Sequence, residues 1–257
     1  MIIVKSLGEE GCRRCVDSPP LDFELSMAFQ PIVDAYTGKT FAHEALVRGV
    51  NGESAASIFE KVHDGNRYRF DQACRVKAVE LASRLGLEGF LSINFLPNAV
   101  YKPELCIRTT LLAAERFEFA PERLIFEVTE SERIKDVAHL QGIIQHYQKR
   151  GFMTAIDDFG AGYAGLNLLA ELNTDLVKID MALVRNVHET RTKSSIIRGI
   201  IQVCRDLDIR IIAEGVETRE EFIFLEGMGI QLFQGFYFSK PSFESIEPVD
   251  PSIFRKA

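Results

Sequence analysis

The chain has 257 residues, 46% of them apolar and 26% charged, and carries a net charge of −7 at neutral pH. That length suits one large barrel or two small domains with a sizeable core, and the acidic balance argues against a long nucleic acid, whose partners are normally basic. No apolar run is long enough to span a membrane, and the amino terminus lacks the apolar stretch of a signal peptide, so a cytoplasmic protein is expected.

Residues 1–24 read as a leader and residues 25–257 as the folded domain. Five cysteines is an odd number for a chain without an export signal, so reduced thiols are expected. Cys12 and Cys15 form a lone CxxC, half of a zinc site with no His or Cys cluster nearby to complete it. Two apolar runs, 27–33 and 40–46, flank a short turn containing Gly38 and predict an antiparallel hairpin. The spacing then predicts a weak helix over 54–63 and a strong one over 66–86. In the latter, Phe70, Ala73, Cys74, Lys77, Ala78, Leu81 and Leu85 lie near one face, and Gly86 is the stop. Strands follow at 90–95, 124–129, 152–157, 175–179, 209–213 and 230–233. Between them come a mixed stretch at 97–117 and helices at 132–150, 164–172, 194–206 and 218–228. From the second strand onward, strands alternate with helices and are nearly continuously apolar, the mark of parallel strands covered on both faces. Eight such strands suggest an α/β fold, a closed (β/α)8 barrel of the TIM type made irregular by its antiparallel first strand. An open doubly wound sheet tolerates the same pattern.

Polar residues fall at one end of these strands. Glu44 lies near the end of the second, Asn94 ends the third, Glu127 sits in the fourth, and Asp157 and Asp158 end the fifth. Lys178 sits in the sixth, Glu214 ends the seventh and Gln234 the eighth. An ionisable group inside an apolar strand is costly unless paired or liganded. Any one of these acids can be half of a buried ion pair; their recurrence at one rim points to chemistry at the barrel mouth. Carboxylate and amide oxygens are hard donors and suit Mg²⁺ or Mn²⁺. Glu44, Asn94, Glu127 and Asp157 would hold one ion, and Asp157, Asp158 and Glu214 a second. Two ions about 3.5–4 Å apart can activate a water and steady a leaving oxygen at phosphorus. Lys178 would orient or polarise that water, or offset charge among the acids. Two other patterns are weaker. Gly160–Gly165 matches GxGxxG, but the two aspartates would face a pyrophosphate. Asp158-Phe159-Gly160 spells the kinase metal triplet without the rest of that signature.

FQPIVD, HEALVRG, SINF, FEVTE, IDDFGAGY, LVKID, AEGVET and QGFYFSKP, in this order, resemble the EAL domain of cyclic-di-GMP phosphodiesterases. The resemblance implies hydrolysis of cyclic di-GMP to linear pGpG with two Mg²⁺ or Mn²⁺ ions, commonly by a homodimer. By position it implies that Glu44, Asn94, Glu127 and Asp157 bind the first metal, and Asp158 and Glu214 the second. Glu214 is also cast in the family as general base. Lys178 resembles the lysine that holds the nucleophilic water. Gln30, Leu46 and Arg48 resemble substrate contacts, and Glu217, Gln234 and Pro241 lie where the family contacts guanine and ribose. Glu130 resembles the glutamate that braces the loop after Asp158. That loop departs from the family's DFGTGYSS: Ala161, Ala164 and Gly165 replace hydroxyl side chains. This removes local hydrogen bonds and weakens the bracing on which the family's dimer-linked activation depends. A receptor that binds the nucleotide without cleaving it, and an interaction module that binds none, are the competing readings.

Overall fold

The computed structural model describes residues 19–100, 102–129, 136–162 and 165–254. Cys12, Cys15 and Glu130 lie outside the described residues. Strands β1 (Ser26–Asp34) and β2 (Lys39–Arg48) form the expected antiparallel hairpin. Asp34 Oδ1 accepts from the backbone N–H of Tyr36 at 2.8 Å and sets its turn. The parallel strands follow: β3 (Phe90–Asn94), β4 (Leu124–Thr129), β5 (Met153–Phe159), β6 (Leu176–Ile179), β7 (Arg210–Ala213) and β8 (Leu232–Phe233). Because β1 pairs antiparallel with both β2 and β8, the sheet closes into a barrel. An extra strand, β9 (Ser242–Phe243), adds to β1 beyond β8. Two residues carry no alternation, so nothing in the sequence announces it.

Around the barrel run α1 (Ala55–Phe59), α2 (Arg67–Arg84), α3 (Pro103–Cys106), α4 (Arg108–Arg116), α5 (Val137–Gln148), α6 (Gly165–Glu171), α7 (Met181–Val184), α8 (Arg191–Asp206) and α9 (Arg219–Gly227). The first helix is shorter than expected. Asn66 accepts from the His63 N–H at 2.8 Å and donates to the Lys61 carbonyl at 2.9 Å, so local side-chain bonding displaces the last helical turn. The one-face reading of α2 is also corrected. Alongside Phe70, Ala78 and Leu81 it buries Asp71, Gln72 and Arg75. Both flanks of α2 are covered, and an Asp71–Arg75 ion pair fills one of them. The chain packs before residue 25 as well: Leu21 and Phe23 rest on the core, with the Phe23 ring 6.4 Å from that of Phe70.

Among the described residues Cys74, Cys106 and Cys204 form no disulfide. Cys204, on α8, is fully buried, and burial pushes its thiol up to about 11. The thiolate is the reactive form. At pH 8 an alkylating reagent is therefore expected to leave Cys204 unmodified in the native protein and to label it after denaturation, read by peptide mass spectrometry. Native labelling at the rate of a free thiol would contradict this burial.

Candidate metal centre

The barrel interior holds an apolar plug made of Ile32, Ala42, Ile125, Ala155, Leu176, Ile212 and Leu232. Inward side chains recur every second residue along a strand. Two positions further toward the carboxyl ends lie Glu44, Glu127, Asp157, Lys178, Glu214 and Gln234; on the reversed strand β1, two positions back, lies Gln30. One pleat step separates a dry layer from a layer of acids and amides.

Lys178 is the hub of that layer. Its Nζ lies 2.7 Å from Glu214 Oε1, 3.0 Å from Glu127 Oε2, 3.0 Å from Asp157 Oδ1 and 3.2 Å from Glu44 Oε2. Asn94 Nδ2 donates to Glu44 Oε1 at 2.9 Å, and Ser92 Oγ to Glu127 Oε1 at 2.5 Å. Gln234 Nε2 donates to Glu44 Oε2 at 2.7 Å and to Gln30 Oε1 at 3.2 Å. Burial pushes the Glu127 carboxyl up to about 8, although Lys178 pulls it down. Burial, and then Asp157, push Glu214 well above the carboxylate range. Burial would lower Lys178, but Asp157, Glu127, Glu214 and Glu44 outweigh it and hold the ammonium charged.

Adjacent residues of a regular strand point to opposite faces, so Asp157 and Asp158 would not share a site. The β5–β6 register shifts between Ile156 and Phe159, and Asp158 takes a left-handed φ of 55°. This irregularity re-aims the strand end, and a left-handed non-glycine costs on the order of 1–3 kcal/mol that its surroundings must offset. As a result, carboxylate oxygens of Glu44, Glu127 and Asp157 lie within 4.8 Å of one another, and so do those of Asp157, Asp158 and Glu214. The two groups share Asp157. Oxygen donors crowded this closely, with burial opposing their ionisation, fit a divalent cation of the hard class.

A cleft of about 480 Å³ opens above them. Of the residues singled out from the sequence, Gln30, Glu44, Leu46, Asn94, Asp157, Asp158, Glu214, Glu217 and Gln234 line it. Glu127 and Lys178 form its wholly buried floor. Arg48 and Pro241 are half-buried and do not line it; Arg48 Nη1 donates to the Val47 carbonyl at 2.7 Å. Ser92, Asp71, Met181, Arg185 and Phe236 were not anticipated. Ser92 was within reach, since it lies two residues before Asn94 on the same face. Arg185 sits in a loop after α7, where no periodicity marks it.

A model of the EAL domain matches residues 21–241. The blue light- and temperature-regulated antirepressor BluF of Escherichia coli K12 is 35% identical over 93% of this chain, which spans 58% of that protein. The probable cyclic di-GMP phosphodiesterase PdeG of the same organism is 36% identical over 91% of the chain, which spans 47% of it. The chain therefore spans about half the length of these relatives. Among solved structures, the c-di-GMP-bound form of a standalone versatile EAL protein from Vibrio cholerae O395 is 53% identical, with a TM-score of 0.89, covering 92% of this chain and 100% of that one. Klebsiella pneumoniae BlrP1 in its manganese/cy-diGMP complex at pH 9.0 is 35% identical with a TM-score of 0.82, covering 90% of this chain and 60% of that one. With an irregular barrel, acids at the ends of four strands (β2, β4, β5 and β7) and a family match over most of its length, the chain belongs to the EAL domain family.

Proposed function

We propose that this chain hydrolyses cyclic di-GMP to linear pGpG, using two divalent cations, Mg²⁺ or Mn²⁺. The observation that carries the reading is the pair of carboxylate groups sharing Asp157 at the floor of one cleft. Glu44, Asn94, Glu127 and Asp157 would hold the first ion, and Asp157, Asp158 and Glu214 the second. Bound there, such ions supply Lewis acidity and a nucleophilic water at neutral pH. The side chains do the rest. Lys178 offsets the charge of four carboxylates and stands within reach of a water on them. Glu214 is the alternative candidate for the base that takes the water's proton, a role in which its carboxylate would face the water and not the second ion. Water oxygen bonds to phosphorus, the P–O3′ bond breaks, and the 3′ oxygen leaves as a hydroxyl by taking a proton from solvent, to which the base returns the proton it removed. Gln30, Leu46, Arg48, Glu217, Gln234 and Pro241 bind the nucleotide, and Glu130 braces the loop after Asp158. The same reading takes the protein as a cytoplasmic homodimer, with residues 1–24 as a leader whose end docks on the helices.

A second reading, nucleotide binding without turnover, is favoured by the DFGAGYAG loop and by the similarity to a protein named as an antirepressor. Turnover by the wild type separates the two, and the Glu44→Gln substitution tests the site. Under the hydrolytic reading it lowers turnover on the order of 10³, equivalent to several kcal/mol of transition-state stabilisation. Unchanged turnover in that variant would refute the ligand role of Glu44.

A further inference from the structure

We infer that Glu221, on the first turn of α9 and outside the acid cluster, is a positioning residue that ties two rim loops into one recognition edge. Its carboxylate is buried and spends both oxygens on backbone donors. Oε1 accepts from the Asn186 N–H at 2.8 Å, in the loop after α7. Oε2 accepts from the Glu217 N–H at 2.9 Å and the Thr218 N–H at 3.1 Å, in the loop after β7. Each tether adjoins a cleft-lining side chain. Arg185 precedes Asn186, Glu217 carries its own tethered amide, and the two side chains form an ion pair across the rim. The loop after β7 also packs directly on the start of α7. A Cβ built on Gly215, at a φ of 63°, would come within 2.3 Å of Met181 Cβ, so only glycine allows this approach. Asn186 takes a left-handed φ of 54°, a conformation asparagine tolerates, and the Glu221 bond fixes its N–H there. The capping box at the start of α9 explains the bond to the Thr218 N–H. The bond to Asn186, 35 residues away in sequence, lies outside the cap altogether.

The inference rests on the proposed cyclic di-GMP hydrolysis for its kinetic readout. Glu221→Gln is the discriminating variant. A glutamine amide has one acceptor oxygen, and its NH₂ faces a donor on the other side. Whichever way it turns, the link between the loops is cut while the side-chain volume is kept. The expected result is a KM about tenfold higher, the usual worth of a hydrogen bond to a charged group, with kcat changed less than about twofold. In a double-mutant cycle, Glu221→Gln should add nothing to Glu217→Ala, because it acts through Glu217. A KM within about twofold of wild type, or full additivity in the cycle, would overturn the inference, whatever happens to the melting temperature. If the wild type binds cyclic di-GMP without cleaving it, only the hydrolytic reading falls, and the same cycle is read in Kd by calorimetry. A wild type that neither binds nor cleaves it overturns both.

Discussion

Lys178→Met should lower the stability of the metal-free protein by about 3–5 kcal/mol at neutral pH, the usual cost of leaving buried charge unpaired. The lysine is wholly buried, and its ammonium lies within 3.2 Å of oxygens from four carboxylates. Without it, Glu44, Glu127, Asp157 and Glu214 face one another with no cation among them. They relax by taking up protons, which burial already favours at Glu127 and Glu214. Two consequences distinguish this from a packing defect. The loss should shrink as pH falls, because protonated acids need no counter-charge. Excess Mn²⁺ should restore the melting temperature of the variant more than it raises that of the wild type. Turnover should still fall on the order of 10²–10⁴, because a divalent ion restores charge balance but not the positioning of water. A metal-free melting temperature equal to that of wild type would contradict the role of Lys178 as the charge hub.

Asp71→Ala should cost a similar 3–5 kcal/mol, for a related reason in a different place. Asp71 Oδ2 accepts from Arg75 Nη2 at 2.6 Å, and both side chains are buried. Its other oxygen accepts from the Leu96 N–H at 2.9 Å and so anchors the chain just beyond Asn94. Truncation strands a guanidinium whose remaining bonds, to the Asp71 and Cys106 carbonyls, are long at 3.4 and 3.5 Å. It also frees the segment that carries Asn94, so KM for cyclic di-GMP should rise. The double substitution Asp71→Leu with Arg75→Met removes both charges and keeps the volume. It should recover most of the stability but not the KM, because the Leu96 anchor is still missing. Urea denaturation of the three proteins checks both halves, and a loss below about 1 kcal/mol in Asp71→Ala would show that the pair is not a structural element.

The barrel was legible because its strands are short apolar runs separated by helices, and the antiparallel start was legible in the hairpin turn at Gly38. The acid layer was legible for the same reason that it is costly. Glu127 in LIFEVT and Lys178 in LVKI interrupt runs that otherwise read as wholly buried. What the sequence concealed lies in geometry that periodicity cannot express. Asp157 and Asp158 reach one site only through a register shift and a left-handed residue. Asp71 and Arg75 sit four apart on what an apolar-face reading assigns to solvent, and only their mutual contact makes burial there tolerable. Arg185, Asn186 and Glu221 are remote in sequence or lie in loops, and a tether between backbone amides leaves no compositional trace.

The most direct test is a product-resolved assay of the purified protein with cyclic di-GMP, with and without Mg²⁺ or Mn²⁺. Linear pGpG should accumulate in the presence of either ion, vanish with chelator and be lost in Glu44→Gln. Tight binding of the nucleotide with no pGpG at any metal concentration would contradict the account.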